Sequence, residues 1–299
     1  MPDTAPQPRP VFRFAPSPNG YLHLGHALGA LTCARMADAA DGRFLIRIED
    51  IDIARCRPDF ERAMLEDLAW LGLVWEEPTL RQSERFDVYR AAAKRLEDAG
   101  LLYPCFASRR EIALSERGAG SRQSAALDPD GALIYTGLHK ELSTSEIAAL
   151  RATGRVPAMR LDMDAAIARL KAATGSSTLQ FIEIDADGTR HERVAEPLRW
   201  GDAVIQRKDV PTSYHLSVVV DDAFQGVTHV VRGRDLLAAT DLQRLLQWLL
   251  GFDAPVYHHH RVILDPLGRK LSKSVGSKSL RKLRDDGMTA ADVRKRLGF

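Results

Sequence analysis

Two histidines three residues apart follow a loop-forming stretch near the N-terminus, Pro16-Ser17-Pro18-Asn19-Gly20-Tyr21-Leu22-His23-Leu24-Gly25-His26. An Ala/Leu-rich segment starts at about Gly25, which puts His23 and His26 at the N-terminus of a helix, where open N–H groups and partial positive charge favour phosphate. Gly25 would let a nucleotide approach the backbone closely, and the imidazoles could donate to phosphoryl oxygens that gain charge in a transition state. Two other readings compete: a paired-histidine metal site, for which no third ligand is evident, and surface histidines that simply cap a helix. A second cationic group lies far away in the chain, Gly268-Arg269-Lys270-Leu271-Ser272-Lys273-Ser274 after a Pro-Leu-Gly turn. Such a loop suits closure over a triphosphate as charge builds on the leaving pyrophosphate, and taken alone it suits plain solvation equally well. No G-x-x-x-x-G-K-[ST] loop occurs, so a nucleotide site here is of another kind.

The elements that must hold these groups are legible as periodicities. Val11 to Ala15 is a short apolar run that stops at the Pro/Ser/Asn/Gly loop, and a helix is expected from about Gly25 to Ala40. Phe44 to Ile48 is a second apolar run, and Phe60, Met64, Leu68 and Leu71 recur at helical spacing, so a parallel α/β unit with a right-handed crossover is expected. From Cys105 to Asp202, turn clusters such as Gly118-Ala119-Gly120-Ser121 and Asp128-Pro129-Asp130-Gly131 break the pattern, which reads as an inserted subdomain. Leu216 to Val220, Gly226 to Val231 and the stripe Leu236, Ala239, Leu242, Leu246, Leu249 then restore α/β character. The expected division is a disordered leader at 1–10, a first half of a nucleotide fold at 11–104, the insertion at 105–202, a second half at 203–265, and a loop with a basic helical tail at 266–299.

Of the 299 residues, 45% are hydrophobic and 27% charged, ordinary for a globular chain and outside the ranges of disorder, collagen or coiled coil. Three widely spaced cysteines, Cys33, Cys56 and Cys105, form no C-x-x-C pair, and no apolar run approaches membrane-spanning length, so a reduced cytoplasmic protein with no membrane partner is expected. The net charge of +2 is uneven: Arg269 to Phe299 carries ten Lys/Arg and three Asp, +7 there against −5 elsewhere. Charge alone leaves a solvated helix and a nucleic-acid contact equally open for that tail.

Five segments in order carry a resemblance: Arg13-Phe14-Ala15-Pro16-Ser17-Pro18-Asn19-Gly20 with His23-Leu24-Gly25-His26; Arg47-Ile48-Glu49-Asp50; Val218-Val219-Val220-Asp221-Asp222; Val231-Arg232-Gly233; and Lys270-Leu271-Ser272-Lys273-Ser274. Together they resemble the catalytic half of class I glutamyl-tRNA synthetases, the first and last looking like that class's HIGH and KMSKS motifs. The resemblance implies an α/β, Rossmann-like catalytic domain split by an α+β insertion, with a short helical C-terminal end. It implies that Arg13, Ala15, Ser17, Glu49, Tyr214 and Arg232 line a glutamate pocket, in which two arginines meet two carboxylates and Glu49 meets the ammonium. It implies that His23, Gly25, His26, Lys270, Ser272 and Lys273 hold ATP, with His23, His26, Lys270 and Lys273 stabilising adenylate formation and Mg²⁺ carried mainly by the triphosphate. Asp50, Asp52, Asp221 and Asp222 are expected to be structural carboxylates rather than metal ligands.

The chain ends 25 residues after Ser274, which predicts no anticodon-binding domain. On that ground the resemblance is closer to the truncated paralogous family, the glutamyl-queuosine tRNA(Asp) synthetases, and implies L-glutamate, ATP and tRNA(Asp) carrying queuosine as partners; a monomer is expected separately, since no apolar stripe is left without a core role. Charging of tRNA(Glu) by a minimal synthetase, and a noncatalytic glutamate- or RNA-binding paralogue, are the alternatives. That family's insertion carries a zinc site, and the corresponding positions here look like Cys105, Ala107, Tyr135 and His139; with the second thiolate missing, no zinc is expected. The run His258-His259-His260 is expected to be a loop or strand edge near the nucleotide. Arg281, Lys282, Arg284, Arg294, Lys295 and Arg296 are candidate phosphate contacts.

Overall fold

The computed structural model describes residues 8–118, 126–264 and 278–299. Along the chain come β1 (Val11–Phe14), α1 (Leu24–Ala39), β2 (Arg43–Ile48), α2 (Pro58–Trp70), β3 (Glu76–Arg81), α3 (Phe86–Asp98), β4 (Leu102–Cys105), α4 (Arg109–Gly118), α5 (Thr144–Ala152), β5 (Ala158–Leu161) and α6 (Met163–Thr174). There follow β6 (Leu179–Ile184), β7 (Arg190–Ala195), β8 (Val204–Gln206), α7 (Tyr214–Phe224), β9 (His229–Gly233), α8 (Ala239–Leu250), β10 (Val256–His260), α9 (Leu280–Asp285) and α10 (Ala290–Leu297).

Seven strands form one sheet in the order β3-β2-β1-β9-β10-β6-β7, parallel except for the antiparallel edge strand β7. Parallel strands need both faces covered, and β1 and β2 are buried almost throughout. Alternation along the strands sends Phe12 and Ile46 into a core shared with α1, α2 and the C-terminal helices, and Val11 and Leu45 into a second core with α3, α7 and α8. The chain leaves β1 towards β2 on one side, while β9 lies against β1 on the other. The crevice beyond the carboxyl ends of β1 and β9 is therefore the switch point at which open α/β sheets bind ligands.

Three expectations change in detail. The insertion has its own antiparallel sheet, β4-β5-β8, so it takes in residues on both sides of 105–202, whereas the β6–β7 hairpin inside that interval returns to the main sheet against β10. Short strands separated by turns do not declare which sheet they join, because long-range pairing decides it. Residues 1–7 of the expected leader lie outside the described residues, but Arg9 and Pro10 are ordered: Arg9 binds Asp41 and the Asp41 carbonyl, and Pro10 accepts from the Arg43 amide. His258-His259-His260 lies inside β10 between β9 and β6 rather than in a loop or at a sheet edge, with the first two histidines buried and His260 lining the crevice beyond the strand ends. No helix among the described residues is long and apolar enough to cross a membrane, and the three cysteines are free thiols.

Candidate active site

The cleft at the switch point has a volume of about 710 Å³. Every described residue that the sequence assigns to glutamate or ATP lines it: Arg13, Ala15, Ser17, Glu49, Tyr214 and Arg232, with His23, Gly25 and His26. Lys270, Ser272 and Lys273 lie outside the described residues.

The two histidines do more than sit at the end of α1. His23 is its N-cap: His23 Nδ1 accepts the Gly25 amide at 3.1 Å, and His26 Nδ1 accepts the His23 amide at 3.2 Å, a reciprocal capping box made from imidazoles. With both Nδ1 atoms accepting, neutral rings carry their protons on Nε2, the donor arrangement a phosphoryl oxygen needs. Gly25 is required by this cap, since a Cβ there would lie 2.9 Å from Cε1 of the His23 ring that forms it. The helix start is also tied to the far end of the chain. Leu22 O accepts the Leu280 amide at 2.7 Å and His23 pairs with Ser279, so a segment that follows Lys270–Ser274 in the sequence is stitched to the start of α1.

Beneath the cleft lies a buried cluster of four charges. Asp222, on the inner face of α7, accepts from Arg13 Nε at 3.0 Å, Arg13 Nη2 at 3.2 Å and Arg47 Nη1 at 2.7 Å, while Arg47 Nη2 reaches Glu49 at 3.2 Å. Burial works against every one of these charges. The two guanidiniums nevertheless hold the Asp222 carboxyl below its ordinary range, and Asp222 holds Arg13 above its own. Glu49 comes out raised, because burial outweighs the pull of Arg47 and Arg13. Asp221, next along α7, is likewise structural, accepting from Gln82, Arg85 and Tyr89. Asp50 accepts the Ser83 amide and hydroxyl, and Asp52 pairs with Arg55.

Arg232 differs from Arg13 and Arg47. Its Nη1 donates to Gln243 Oε1 at 2.8 Å and to the Tyr214 hydroxyl at 3.4 Å, its Nη2 to Thr240 Oγ1 at 2.8 Å, and its Nε to His259 Nε2 at 3.4 Å. All four partners are neutral, and no carboxylate pairs with it among the described residues. The charges under the cleft thus cancel except for one buried guanidinium at the end of β9. A ligand with two carboxylates and one ammonium supplies the missing negative charge.

Sequence comparison agrees with this geometry: the family described as tRNA synthetases class I (E and Q), catalytic domain, matches residues 11–297. The chain belongs to that family. The class I synthetase is 45% identical over 291 residues to the glutamyl-Q tRNA(Asp) synthetase of Rhodobacter capsulatus, covering 97% of this chain and 100% of that one. It is 41% identical to a glutamate-tRNA ligase 2 of a Methylobacterium species over 93% of this chain but only 57% of the ligase. Among solved structures, the glutamate-tRNA synthetase of Elizabethkingia anophelis superposes with a TM-score of 0.70 at 27% identity, over 94% of this chain and 54% of that one.

Where relatives of this synthetase are expected to hold zinc, the insertion has a hydrogen-bonded turn. Cys105, Tyr135 and His139 do come together, but His139 Nδ1 accepts the Phe106 and Ala107 amides at 3.1 Å each, and the Tyr135 hydroxyl oxygen accepts the His139 amide at 2.7 Å. Lys208 Nζ caps the Phe106 and Ala107 carbonyls of the same turn at 2.6 and 3.0 Å. With Ala107 in place of a thiolate, a lone pair of His139 already engaged and an ammonium alongside, these residues do not fit a tetrahedral zinc ion. No group of three or more potential metal ligands occurs among the described residues.

Sequence reasoning missed the layer behind the cleft: Arg47 and Asp222 as a charge cluster with Arg13 and Glu49, and Thr240, Gln243, His259 and Glu183 behind Arg232. One signal was available. Two adjacent aspartates inside the apolar Val218–Phe224 stretch have to meet cations or donors if that helix is buried.

Proposed function

We propose that this synthetase activates L-glutamate with ATP and transfers the glutamyl group to the queuosine base in the anticodon loop of tRNA(Asp). The observation that carries it is Arg232, a buried guanidinium with only neutral partners, facing the same cleft as Glu49 and the capped start of α1. Arg232 and Arg13 receive the two carboxylates of glutamate and Glu49 receives its ammonium. The α-carboxylate then attacks the α-phosphorus of ATP: a carboxyl oxygen–phosphorus bond forms, the bond to the β-phosphate bridging oxygen breaks, and pyrophosphate leaves. His23 and His26, with Lys270 and Lys273 from the loop, stabilise the charge that builds on the phosphates, while Mg²⁺ travels with the triphosphate. A hydroxyl of the queuosine cyclopentene-diol next attacks the adenylate carbonyl and AMP departs. Catalysis here is positioning and charge stabilisation, with no covalent bond to the protein. Its substrates are those of a cytoplasmic enzyme, and we take the working unit to be a monomer.

The similarity to a glutamate-tRNA ligase 2 supports a second reading, charging of tRNA(Glu) at its terminal ribose. One experiment separates the two: ATP-dependent transfer of labelled glutamate onto tRNA(Asp) with queuosine, tRNA(Asp) without it, and tRNA(Glu). Label on the first RNA alone is the expected result. Label on tRNA(Glu) would replace the proposed activity with the second, and label on none would remove both.

A further inference from the structure

We propose that Glu183 and His259 are positioning residues that set the direction of the glutamate-binding guanidinium of Arg232, through the tautomer of the His259 ring. The inference rests on the reading that Arg232 receives a substrate carboxylate. Neither residue lines the cleft, and Glu183 belongs to β6, which the sequence places in the insertion.

The register of the sheet brings the three groups into line. Arg232 on β9 and His259 on β10 are direct partners, and Glu183 on β6 pairs with Tyr257, two residues before His259 on the same strand. His259 Nδ1 lies 2.9 Å from Glu183 Oε1. An ionised carboxylate only accepts, so Nδ1 carries the ring proton and Nε2 keeps its lone pair. Two donors need that lone pair. Arg232 Nε points at it from 3.4 Å, and the Thr240 hydroxyl, whose oxygen already accepts from Arg232 Nη2 at 2.8 Å, lies 3.2 Å from it. The opposite tautomer would set a bare nitrogen against the carboxylate and an N–H against Arg232 Nε–H, and would leave the Thr240 hydroxyl without an acceptor. All four side chains are buried, so neither mismatch can be relieved by water.

The supports of the relay are equally specific. Glu183 is held from its other oxygen by Arg193 Nε at 3.0 Å, and despite burial it is kept ionised by His259 and Arg193. The Tyr257 ring stacks parallel to His259 at 5.9 Å and also lies under the Arg232 guanidinium, so both members of the contact pack on one aromatic ring. Burial, and then Arg232 itself, push the His259 ring down to about 4, so it is uncharged and an acceptor at neutral pH. A carboxylate placed directly on Arg232 would cancel its charge and compete with the ligand; a neutral imidazole fixes the guanidinium while leaving that charge for the substrate.

The test is glutamate-dependent ATP–pyrophosphate exchange on the full-length chain, paired with the ring tautomer read from histidine ¹⁵N–¹H correlations in the ligand-free protein. Glu183→Gln is expected to raise KM for glutamate by about tenfold or more while KM for ATP and the saturated rate stay within about threefold. A residue that only held the fold together would lower the active fraction, and so the saturated rate, without separating the two KM values. Unchanged KM for glutamate, or both KM values rising together, overturns the proposal. Should Glu183→Gln fail to fold, His259→Gln, whose amide oxygen can replace the Nε2 acceptor without Glu183, is expected to keep a KM well below that of His259→Leu; equal values in that pair overturn it. The tautomer measurement stands apart from activity. His259 protonated on Nδ1 alone at neutral pH is expected, and a proton on Nε2 refutes the relay even if glutamate proves not to be the substrate. A wild-type chain without glutamate-dependent exchange removes the proposed function, and the tautomer then decides the relay.

Discussion

Arg47 is fully buried, and its charge is useful only while Asp222 and Glu49 stay beside it. Exchanging one member of a buried ion cluster leaves an uncompensated charge, which costs more than the net worth of the intact cluster. Arg47→Met is therefore expected to destabilise the protein by about 3–5 kcal/mol in urea unfolding, with Glu49 driven further towards its protonated form. Glu49→Gln in the same chain should recover a large part of that loss, because it removes the charge left behind; no recovery would mean that packing, not charge, makes Arg47 necessary. The same contrast explains what was legible at this scale. Arg13, Glu49, Arg232 and the histidines touch the cleft and belong to motifs readable as local strings. Asp222, His259 and Glu183 work through partners 27 to 209 residues away in the chain; the paired aspartates signal that Asp222 needs a cation, but no local pattern encodes which residue any of the three meets.

Secondary elements were more legible than their partners. The expected helix from Gly25 to Ala40 is α1 at Leu24–Ala39, and the expected strands are β1 and β2, since both periodicity and turn chemistry are local. Leu216 to Val220 is part of α7, where Ser213 caps the helix and burial on nearly every side removes the polar face that would have marked it. The joint between α2 and α9 was not visible at all. There the Asp67 carboxylate is buried with neither oxygen hydrogen-bonded among the described residues, and Arg284 is the cation that pairs with it, at 4.0 Å. Burial pushes Asp67 up to about 6, with Arg284 only partly opposing it. An acid whose folded value lies above its unfolded one binds its proton more tightly in the native state, so its cost is full above pH 6 and fades as pH falls towards 4. Asp67→Asn should therefore raise stability at pH 7.5 by on the order of 2 kcal/mol, with the advantage gone by about pH 4. A variant less stable than wild type at pH 7.5 would show instead that Asp67 holds α9 through Arg284.

At the scale of the whole molecule, the charge asymmetry acquires a place. The tail with ten Lys/Arg ends in α9 and α10, whose apolar sides pack with α1 and α2, so the cations of these two helices are carried on the same layer that holds the start of α1. Some of them are engaged in that packing: Arg294 donates to the Leu71 carbonyl and Arg284 lies over the Trp70 ring. Arg281, over the half-exposed ring of Tyr21, and Lys295 and Arg296 on the last helix remain turned to solvent. Cations that meet RNA phosphates release condensed counterions, so each contact adds to the steepness with which affinity falls with salt. Arg281→Gln, Lys295→Gln and Arg296→Gln together should flatten the plot of log affinity for tRNA against log salt by about 2 units if all three meet phosphates, while leaving glutamate-dependent pyrophosphate exchange within about twofold. An unchanged slope would assign these side chains to solvation alone. An unchanged slope together with a loss of exchange would mean instead that the tail supports the adenylation site, through the Ser279–His23 pairing, and not the RNA.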